Sequence, residues 1–416
     1  MPLKKKPVTG MKDILPEEME IRNYCIAVIR ETYAAFGFSS IETPVVEHIE
    51  NLLSKQGGEN EKLIFKILKR GEKLDLSAPT TEEAVTDSGL RYDLTLPLAR
   101  YYSAHAAELP SPFKALQIGP VFRADRPQRG RYRQFTQCDI DILGDAGCLC
   151  EIDLILATST ALSKLGFSGF TIRINDRRLL KSIAEGAGFS EQDMDSVFIT
   201  LDKMDKIGLE GVRAELIEYG YDKEATERYC ELLQSLGKGP EDVRALGQKI
   251  SSVMDPAKAE NLAEIMEAIL EVSTIDFDLE FDPTLVRGMG YYTGPIFEIS
   301  MDEYGGSVGG GGRYDEMIGK FTGQPAPAVG FSIGFERIIM LLLESGFKVP
   351  GSVGKTAFLL DKRLPPGRMG EVLQEAMALR REGKTVDIST MKKNRKFQKD
   401  QLTAGGYSEI REFFAD

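Results

Sequence analysis

The chain is poor in the residues that most often serve as catalytic bases and nucleophiles. Its 416 residues include only two histidines, His48 and His105, and five cysteines. A Ser-His-Asp or Cys-His mechanism would need one of these histidines, and neither lies in a recognisable catalytic motif. The scattered cysteines, odd in number, predict reduced thiols and a cytoplasmic protein. Chemistry is therefore expected from arginines, carboxylates and a metal ion.

Long apolar segments are also missing. The longest, at 338–343, is far shorter than the roughly 20 residues that a transmembrane helix needs, so no membrane partner is expected. The charged start MPLKKKPVTG has no apolar segment behind it and predicts no secretory signal. Cys148 and Cys150 lack a second Cys or His pair, which argues against zinc. The net charge of −12 disfavours a general polyanion binder but permits local basic patches that meet nucleic acid.

The hydrophobic pattern changes character several times along the chain. A strand pattern at 40–46 contains Pro44, and because proline cannot donate to a central ladder we expect this strand at an edge or interface. From about 170 to 272 the patterns are helical and rich in Lys and Glu, and strand patterns resume at 277–281. After a Gly/Pro linker, strands and helices alternate again. We therefore expect four segments, at 1–169, 170–275 (a helical insertion), 276–345 and 354–416 (a small α/β domain).

Two glycine-rich runs resemble phosphate-binding loops. GSVGKT at 351–356 has Val349 where a P-loop needs glycine, and a strand pattern follows it, so we interpret it as a linker. GGSVGGGG at 305–312 lacks the dinucleotide-binding spacing. It is either a flexible hairpin or a place where the backbone closely approaches a bound ligand.

The run VFRADRPQRGRYRQFTQCDID at 121–141 is the most informative segment. Pro127 and Gly130 in its middle predict a strand, a loop and a second strand. Alternate residues of an extended second arm share one face. That face would carry Arg133, Phe135, Gln137, Asp139 and Asp141. Cations at one end and acceptors at the other suit a substrate with an anionic end and a cationic or N–H-bearing end. The alternative is a solvated hairpin with surface ion pairs.

Three further segments carry candidate ligand-binding residues. Arg287 stands beside Gly288 and Gly290, which leave room for a phosphate, although a lone arginine is usually a surface ion pair. Arg337 lies in an apolar helix start and needs an anionic partner, either a ligand or the adjacent Glu336. Asp93 and Thr95, in RYDLTLP, place an anion and a hydroxyl on one side of an extended segment; the alternative is a helix cap.

Together these segments resemble the class II histidyl-tRNA synthetases. The resemblance runs from about Gly10 to Leu343, in the family's order, through GMKDILPEE, TPVVE, GGENEKLIFK, LRYDLTLPLAR, the run at 121–141, LVRGMGYYTGPIFE, GGRYD and AVGFSIGFERI. It implies an α+β fold in which a six- or seven-stranded antiparallel catalytic sheet, interrupted by the helical insertion, is flanked by helices. It also implies a homodimer formed through the strand with Pro44.

The resemblance assigns roles to the candidate residues. Histidine would be bound through its ammonium, ring and carboxylate by Asp93, Thr95, Gln137, Asp141, Arg287, Tyr291 and Tyr292. ATP would be bound through its phosphates and adenine by Arg123, Asp125, Arg131 and Arg337. The catalytic residues would be Arg123, Arg287 and Arg337, whose positive charges reduce the repulsion between the histidine carboxylate and the phosphate.

The activity implied is the ATP- and Mg²⁺-dependent activation of histidine and its transfer to histidine tRNA. Two departures stand out. Gly290 occupies a position where the family usually has Asp, and the last segment is shorter than the family's anticodon-binding domain. The basic stretch MKKNRKFQK could contact RNA phosphates or be a solvated helix face. Because related proteins without that domain act as histidine-sensing regulatory subunits of ATP phosphoribosyltransferase, a sensor is the alternative function.

Overall fold

The computed structural model describes residues 3–53, 60–77, 81–287, 292–351 and 354–415. Its strands are β1 Ser39–Ser40, β2 Val46–His48, β3 Lys66–Leu68, β4 Thr86–Leu90, β5 Phe113–Phe122, β6 Gln134–Leu143, β7 Phe170–Asp176, β8 Phe277–Phe281, β9 Pro295–Met301, β10 Gly306–Arg313, β11 Ala328–Ile333, β12 Lys355–Leu360, β13 Val386–Thr390 and β14 Tyr407–Phe413. Its α-helices are α1 Pro16–Ala35, α2 Ile49–Leu52, α3 Glu82–Val85, α4 Thr95–His105, α5 Leu149–Lys164, α6 Arg177–Ala187, α7 Met194–Leu201, α8 Met204–Glu218, α9 Lys223–Gln234, α10 Pro240–Lys249, α11 Ala257–Val272, α12 Gly319–Thr322, α13 Phe335–Glu344, α14 Pro366–Arg381 and α15 Arg395–Ala404.

A large sheet forms the centre of the fold, with strand order β1-β5-β6-β11-β10-β9-β7-β8. From β5 to β7 every neighbouring pair is antiparallel, whereas β1 and β8 add at the two edges in parallel. The antiparallel sheet flanked by helices is thus confirmed. The parallel edge strands bring the described sheet to eight strands, more than the six or seven expected.

The strand expected at 40–46 is broken in the structure. β1 ends at Ser40, at an edge of the large sheet, and β2 starts only at Val46, in a small sheet with β4 and β3. Arg91 binds the intervening segment: its Nη1 donates to the carbonyl of Thr43 at 2.7 Å, and its backbone N–H donates to that of Val45 at 2.9 Å. The backbone around Pro44 therefore bonds to an arginine and not to a strand.

The helical segment begins at Arg177 and not at 170. Residues Phe170–Asp176 form β7, which pairs with β9 and β8 inside the large sheet. The alternating Phe170, Ile172 and Ile174 are buried, as expected for a strand with one face on the core. Helices α6 to α11 then follow, and β8 returns the chain to the sheet at Phe277, where strand patterns were expected to resume.

The glycine-rich run is an interior strand, so its interpretation as a flexible hairpin is wrong. β10 pairs with β9 on one side and β11 on the other. A Cβ on Gly311 would lie 2.8 Å from the carbonyl carbon of Gly330 and from the Cα of Phe331. Only glycine permits this approach of β10 to β11.

Gly311→Ala should therefore destabilise the protein by about 3 kcal/mol, because the clash is with backbone that cannot rotate away. Urea unfolding measures the change. Gly186→Ala in α6 is the matched control, since its nearest neighbour would be a Val253 methyl at 3.6 Å. That variant should be neutral or up to about 1 kcal/mol more stable. Equal stability of the two variants would contradict this account of β10.

The chain separates into two compact units, Met1–Ile14 with Arg22–Ser345, and Leu15–Ile21 with Gly346–Asp416. In the second unit β13, β12 and β14 form a parallel sheet, with α14 and α15 as the connecting helices. β12 begins at Lys355, so the end of GSVGKT enters a strand and not the helix that a P-loop requires; Ser352 and Val353 lie outside the described residues. Within the described ranges, no helix has the length and apolarity that a bilayer crossing requires.

Candidate active site

A cavity of about 530 Å³ lies in the first unit, over β6, β10 and β11 and the starts of α4 and α13. Its size is typical of small-molecule sites. It brings together ten residues predicted from sequence, namely Asp93, Thr95, Arg123, Asp125, Arg131, Gln137, Asp141, Arg287, Tyr292 and Arg337. Tyr291, Gly288 and Gly290 lie outside the described residues.

One end of the cavity is lined by hydrogen-bond acceptors from β6. Gln137, Asp139 and Asp141 follow each other on one face, as the alternation predicted. Three of their oxygens, Gln137 Oε1, Asp139 Oδ1 and Asp141 Oδ2, are buried and have no hydrogen-bond partner among the described residues. Unpaired buried acceptors are costly, so this end of the cavity is built for a ligand that donates N–H groups.

Burial controls the charge at this end. It raises the pKa of Asp141 to about 7, although the Tyr314 hydroxyl, which donates to Oδ1 at 2.5 Å, favours the carboxylate. Burial and then the charge of Asp141 raise the pKa of Asp139 well above its ordinary value. A cationic ligand would restore the charged form of both carboxyls.

Small residues on β11 make room for these side chains. Gly330 lies opposite Asp141, and a Cβ there would overlap the Asp141 Oδ1 atom. Ser332 lies opposite Asp139, and its hydroxyl bonds to Asp139 and accepts from Gln137 Nε2 at 3.3 Å. The acceptors are thus fixed by a neighbouring strand and need no ligand to hold them in place.

Asp93 caps a helix and also lines the cavity. Its Oδ1 accepts from the backbone N–H of Leu96 at 3.1 Å, so it caps α4, whose first residue is Thr95. It also lines the cavity, and burial raises its pKa. Capping leaves Asp93 pointing at the cavity, and the two interpretations do not exclude each other.

Arg123 is held by aromatic rings. Its guanidinium lies 4.2 Å from the ring centre of Tyr92 and 5.0 Å from that of Phe135, and its Nε donates to the Tyr92 carbonyl at 3.1 Å. No carboxylate in the described part of the chain lies within salt-bridge distance of it. The cation is thus oriented and available to an anionic ligand.

Arg287 is not a free arginine. Its Nη2 lies 2.6 Å from Glu298 Oε2 and donates to Ser307 Oγ at 2.5 Å. Glu298 is shared, because its other oxygen bonds to Arg173. Burial favours the neutral acid, but the charges of Arg287 and Arg173 outweigh it and lower the pKa of Glu298. The ion pair expected as an alternative exists, but it is half-buried and holds Arg287 against the cavity wall.

Arg337 does not pair with Glu336, so that alternative is wrong. Glu336 instead binds Arg22 of α1 at 2.6 Å and accepts from the Thr136 backbone N–H at 3.0 Å. Arg337 donates to the Ser307 carbonyl and lies 5.3 Å from the ring centre of Tyr304. It forms no salt bridge with a described carboxylate, and burial lowers its pKa. An anion entering the cavity would supply the missing partner.

One residue of the predicted face lies elsewhere. Arg133 precedes β6 and donates from Nε to the Asp125 carbonyl at 3.1 Å, while its backbone N–H donates to the Gly10 carbonyl. It therefore supports the loop at 123–131 and does not line the cavity. Asp125 and Arg131 do line it, and Arg131 is exposed.

The sequence assigned no specific ligand contact to two residues of the site. Strand alternation placed Asp139 among the acceptors of one face, and its burial and unpaired oxygen now mark it as a separate ligand-binding group. Tyr314 was part of the motif GGRYD, but its bond to Asp141 joins β10's end to β6 and leaves no local sequence signal. In the described ranges, no group of three or more His, Cys, Asp or Glu side chains could hold a metal ion.

Comparison with known proteins identifies close relatives. The sequence model of one family, histidyl-tRNA synthetase, matches residues 10–338. A histidine--tRNA ligase from Leifsonia xyli is 44% identical over 411 residues, covering 96% of this chain and 93% of that protein. A histidyl-tRNA synthetase structure from Nostoc has a TM-score of 0.78 and 26% identity over 97% of this chain and 90% of its own. A structure titled ATP phosphoribosyltransferase regulatory subunit/histidyl-tRNA synthetase, from Bacillus halodurans, covers both chains completely with a TM-score of 0.79, but at 22% identity it shares the fold alone.

Proposed function

The chain belongs to the histidyl-tRNA synthetase family, and we propose that it activates L-histidine with ATP and transfers the histidyl group to the 3′ end of histidine tRNA. One observation carries the assignment of the site. A cluster of buried acceptors without partners lies in the same cavity as two arginines, Arg123 and Arg337, that have no carboxylate partner among the described residues. The ring N–H and ammonium of histidine would pair with the acceptors, and a nucleotide phosphate would pair with the arginines.

The acceptor end would bind histidine. Asp93, Thr95 and Gln137 would receive the α-ammonium, and Asp141, oriented by Tyr314, would accept a ring N–H. Such a site rejects analogues without the N–H, because a buried acceptor left unpaired costs roughly 1–3 kcal/mol. Tyr292 lies beside this end, and the role expected for Tyr291 stays a prediction.

The arginine end would bind ATP. Activation requires a histidine carboxylate oxygen to attack the α-phosphorus while the bond to the leaving pyrophosphate breaks. Arg123 and Arg287 would reduce the repulsion between the two anions, and Arg337 would bind the γ-phosphate or stack on adenine. Asp125 and Arg131, at the cavity's outer loop, would complete the nucleotide site. A terminal ribose hydroxyl of the tRNA then attacks the histidyl carbonyl, and AMP leaves.

Mg²⁺ would enter with ATP, whose phosphates it neutralises. Among the described residues, no group of three or more His, Cys, Asp or Glu side chains could hold the ion without the phosphates. We therefore assign no residue to the ion. The homodimer and the cytoplasmic location stay predictions. So does RNA binding by Gly346–Asp416, which includes the basic stretch before and within α15.

The regulatory alternative has less support. A histidine sensor has no need for arginines arranged for nucleotide phosphates, and the relatives at about 40% identity and above carry the name histidine--tRNA ligase. The deciding measurement is histidine-dependent exchange of pyrophosphate into ATP. Histidine binding without exchange would favour the sensor.

Arg287→Ala should leave histidine binding largely intact and reduce pyrophosphate exchange by about 10²-fold or more. Glu298 keeps Arg173 as a partner, so no buried carboxylate is left uncompensated. Arg129→Ala is the matched control, because Arg129 pairs with Glu344 where both side chains are at least half exposed. Calorimetry gives the histidine affinity, and exchange gives the rate. Exchange near the wild-type rate would remove Arg287 from the mechanism.

A further inference from the structure

Asp139 is a buried carboxylate in the cavity wall, and the proposed function has given it no role. It is 4% exposed, lies in the middle of β6, and has one oxygen, Oδ1, without a partner in the described part of the protein. Its other support is the Ser332 hydroxyl across the strand pair. A core acid with only a structural role would be expected to have both oxygens bonded.

The position of Asp139 along β6 indicates which part of the substrate it meets. Arg123 stacks on Phe135, two alternations before Asp139, and its charge acts on Asp139. Asp141 lies one alternation further, where Tyr314 holds it. In the proposed function the substrate's carboxylate faces Arg123 and its ring faces Asp141, so the α-carbon, which carries the ammonium, lies between these two positions.

Gln137 and Asp139 converge on that point. Both side chains bond to the same Ser332 hydroxyl, so they flank one small volume of the cavity. Gln137 Oε1 is also unpaired, but an amide supplies no charge. A cationic ligand would restore the charged form of Asp139, and in this buried setting the two opposite charges would interact strongly.

We propose that Asp139 is a further substrate-binding residue, whose unpaired Oδ1 balances the α-ammonium of histidine and so selects the amino acid against its deaminated analogue. The proposal rests on the proposed function in one respect, that the cavity takes histidine. Asp141 discriminates the ring, and Asp139 joins Asp93 in discriminating the ammonium. The carboxylates of Asp139 and Asp141, two residues apart on one strand, would thus bind two different parts of the same substrate.

The test measures binding of L-histidine and of 3-(imidazol-4-yl)propanoate, which has hydrogen in place of the ammonium, by calorimetry on the full chain. Asp139→Asn keeps the shape and the Ser332 bond but removes the charge. We expect it to weaken histidine binding 10- to 100-fold and to change the affinity for the propanoate less than twofold. The matched control Asp141→Asn should weaken both ligands alike, because both carry the ring.

Retained binding of the propanoate also shows that the Asp139→Asn cavity is folded. If Asp139→Asn bound histidine within twofold of the wild type, the carboxyl would be neutral in the complex and the proposal would be wrong. Equal losses for both ligands would place Asp139 at the ring or in the framework and overturn it as well. If the wild type bound no histidine, this inference and the proposed function would fall together. Histidine binding without pyrophosphate exchange would remove the proposed function alone.

Discussion

Arg123→Ala should lower histidine-dependent pyrophosphate exchange by about 10³-fold, the size of effect seen when a positioned cation is removed from a phosphoryl or acyl transition state. The guanidinium contacts the rings of both Tyr92 and Phe135. It cannot rotate away to solvent without losing both contacts. Its orientation is therefore set before ATP arrives, and little reorganisation is needed when charge develops in the transition state.

Two comparisons make the Arg123 experiment specific. Arg123→Lys keeps the charge but loses the planar fork, and we expect an intermediate loss of exchange. Arg126→Ala is the matched control, since Arg126 belongs to the same loop, is exposed and does not line the cavity. It should exchange at the wild-type rate. A loss smaller than tenfold for Arg123→Ala, or equal losses for Arg123 and Arg126, would contradict the assignment.

The parts of the site that sequence could predict are those whose geometry is local. Alternation along an extended segment placed Gln137, Asp139 and Asp141 on one face because the side-chain period of a strand is two. Pro127 and Gly130 marked the loop that separates β5 from β6. Arg133 departs from this alternation. It lies one residue before β6 begins, and its side chain bonds to the backbone of Asp125.

Contacts between distant segments could not be read from the chain. Glu336 stands next to Arg337 in sequence but binds Arg22, 314 residues away in the chain. The glycine run at 305–312 looked flexible, yet β9 and β11 bond to both of its edges. The prediction also placed residues 170–176 in the helical insertion, whereas they form β7 of the large sheet. In each of these cases a tertiary neighbour decided the conformation.

The buried acceptors also have a consequence for stability. Burial raises the pKa of Asp141 from 3.8 to about 7. Below pH 3.8 both the folded and unfolded states hold the proton, and the carboxyl is at no disadvantage. As the pH rises toward 7 the unfolded chain releases the proton while the folded protein retains it, so folding stability falls. Above pH 7 the buried carboxylate costs about 4 kcal/mol relative to the neutral acid.

Asp141→Asn should therefore make the ligand-free protein more stable than the wild type at pH 8, by up to about 4 kcal/mol, because the amide mimics the neutral acid. The difference should shrink steadily between pH 7 and pH 4. Urea unfolding across this range measures it. Asp278→Asn, an exposed position on β8, is the control and should leave the pH profile unchanged.

Histidine should reverse this difference between Asp141→Asn and the wild type. At pH 8 a saturating concentration should stabilise the wild type, since the ring N–H pairs with the ionised Asp141, and should stabilise Asp141→Asn much less. A variant that gained no stability at pH 8, or gained the same amount at every pH, would show that the folded protein holds Asp141 as an ordinary ionised carboxylate. The acceptor end would then not be the strained, ligand-requiring surface that its unpaired oxygens indicate. The cost of leaving these buried acceptors without a protein partner is the physical reason for the site's selectivity, because a ligand with N–H groups at those positions removes that cost.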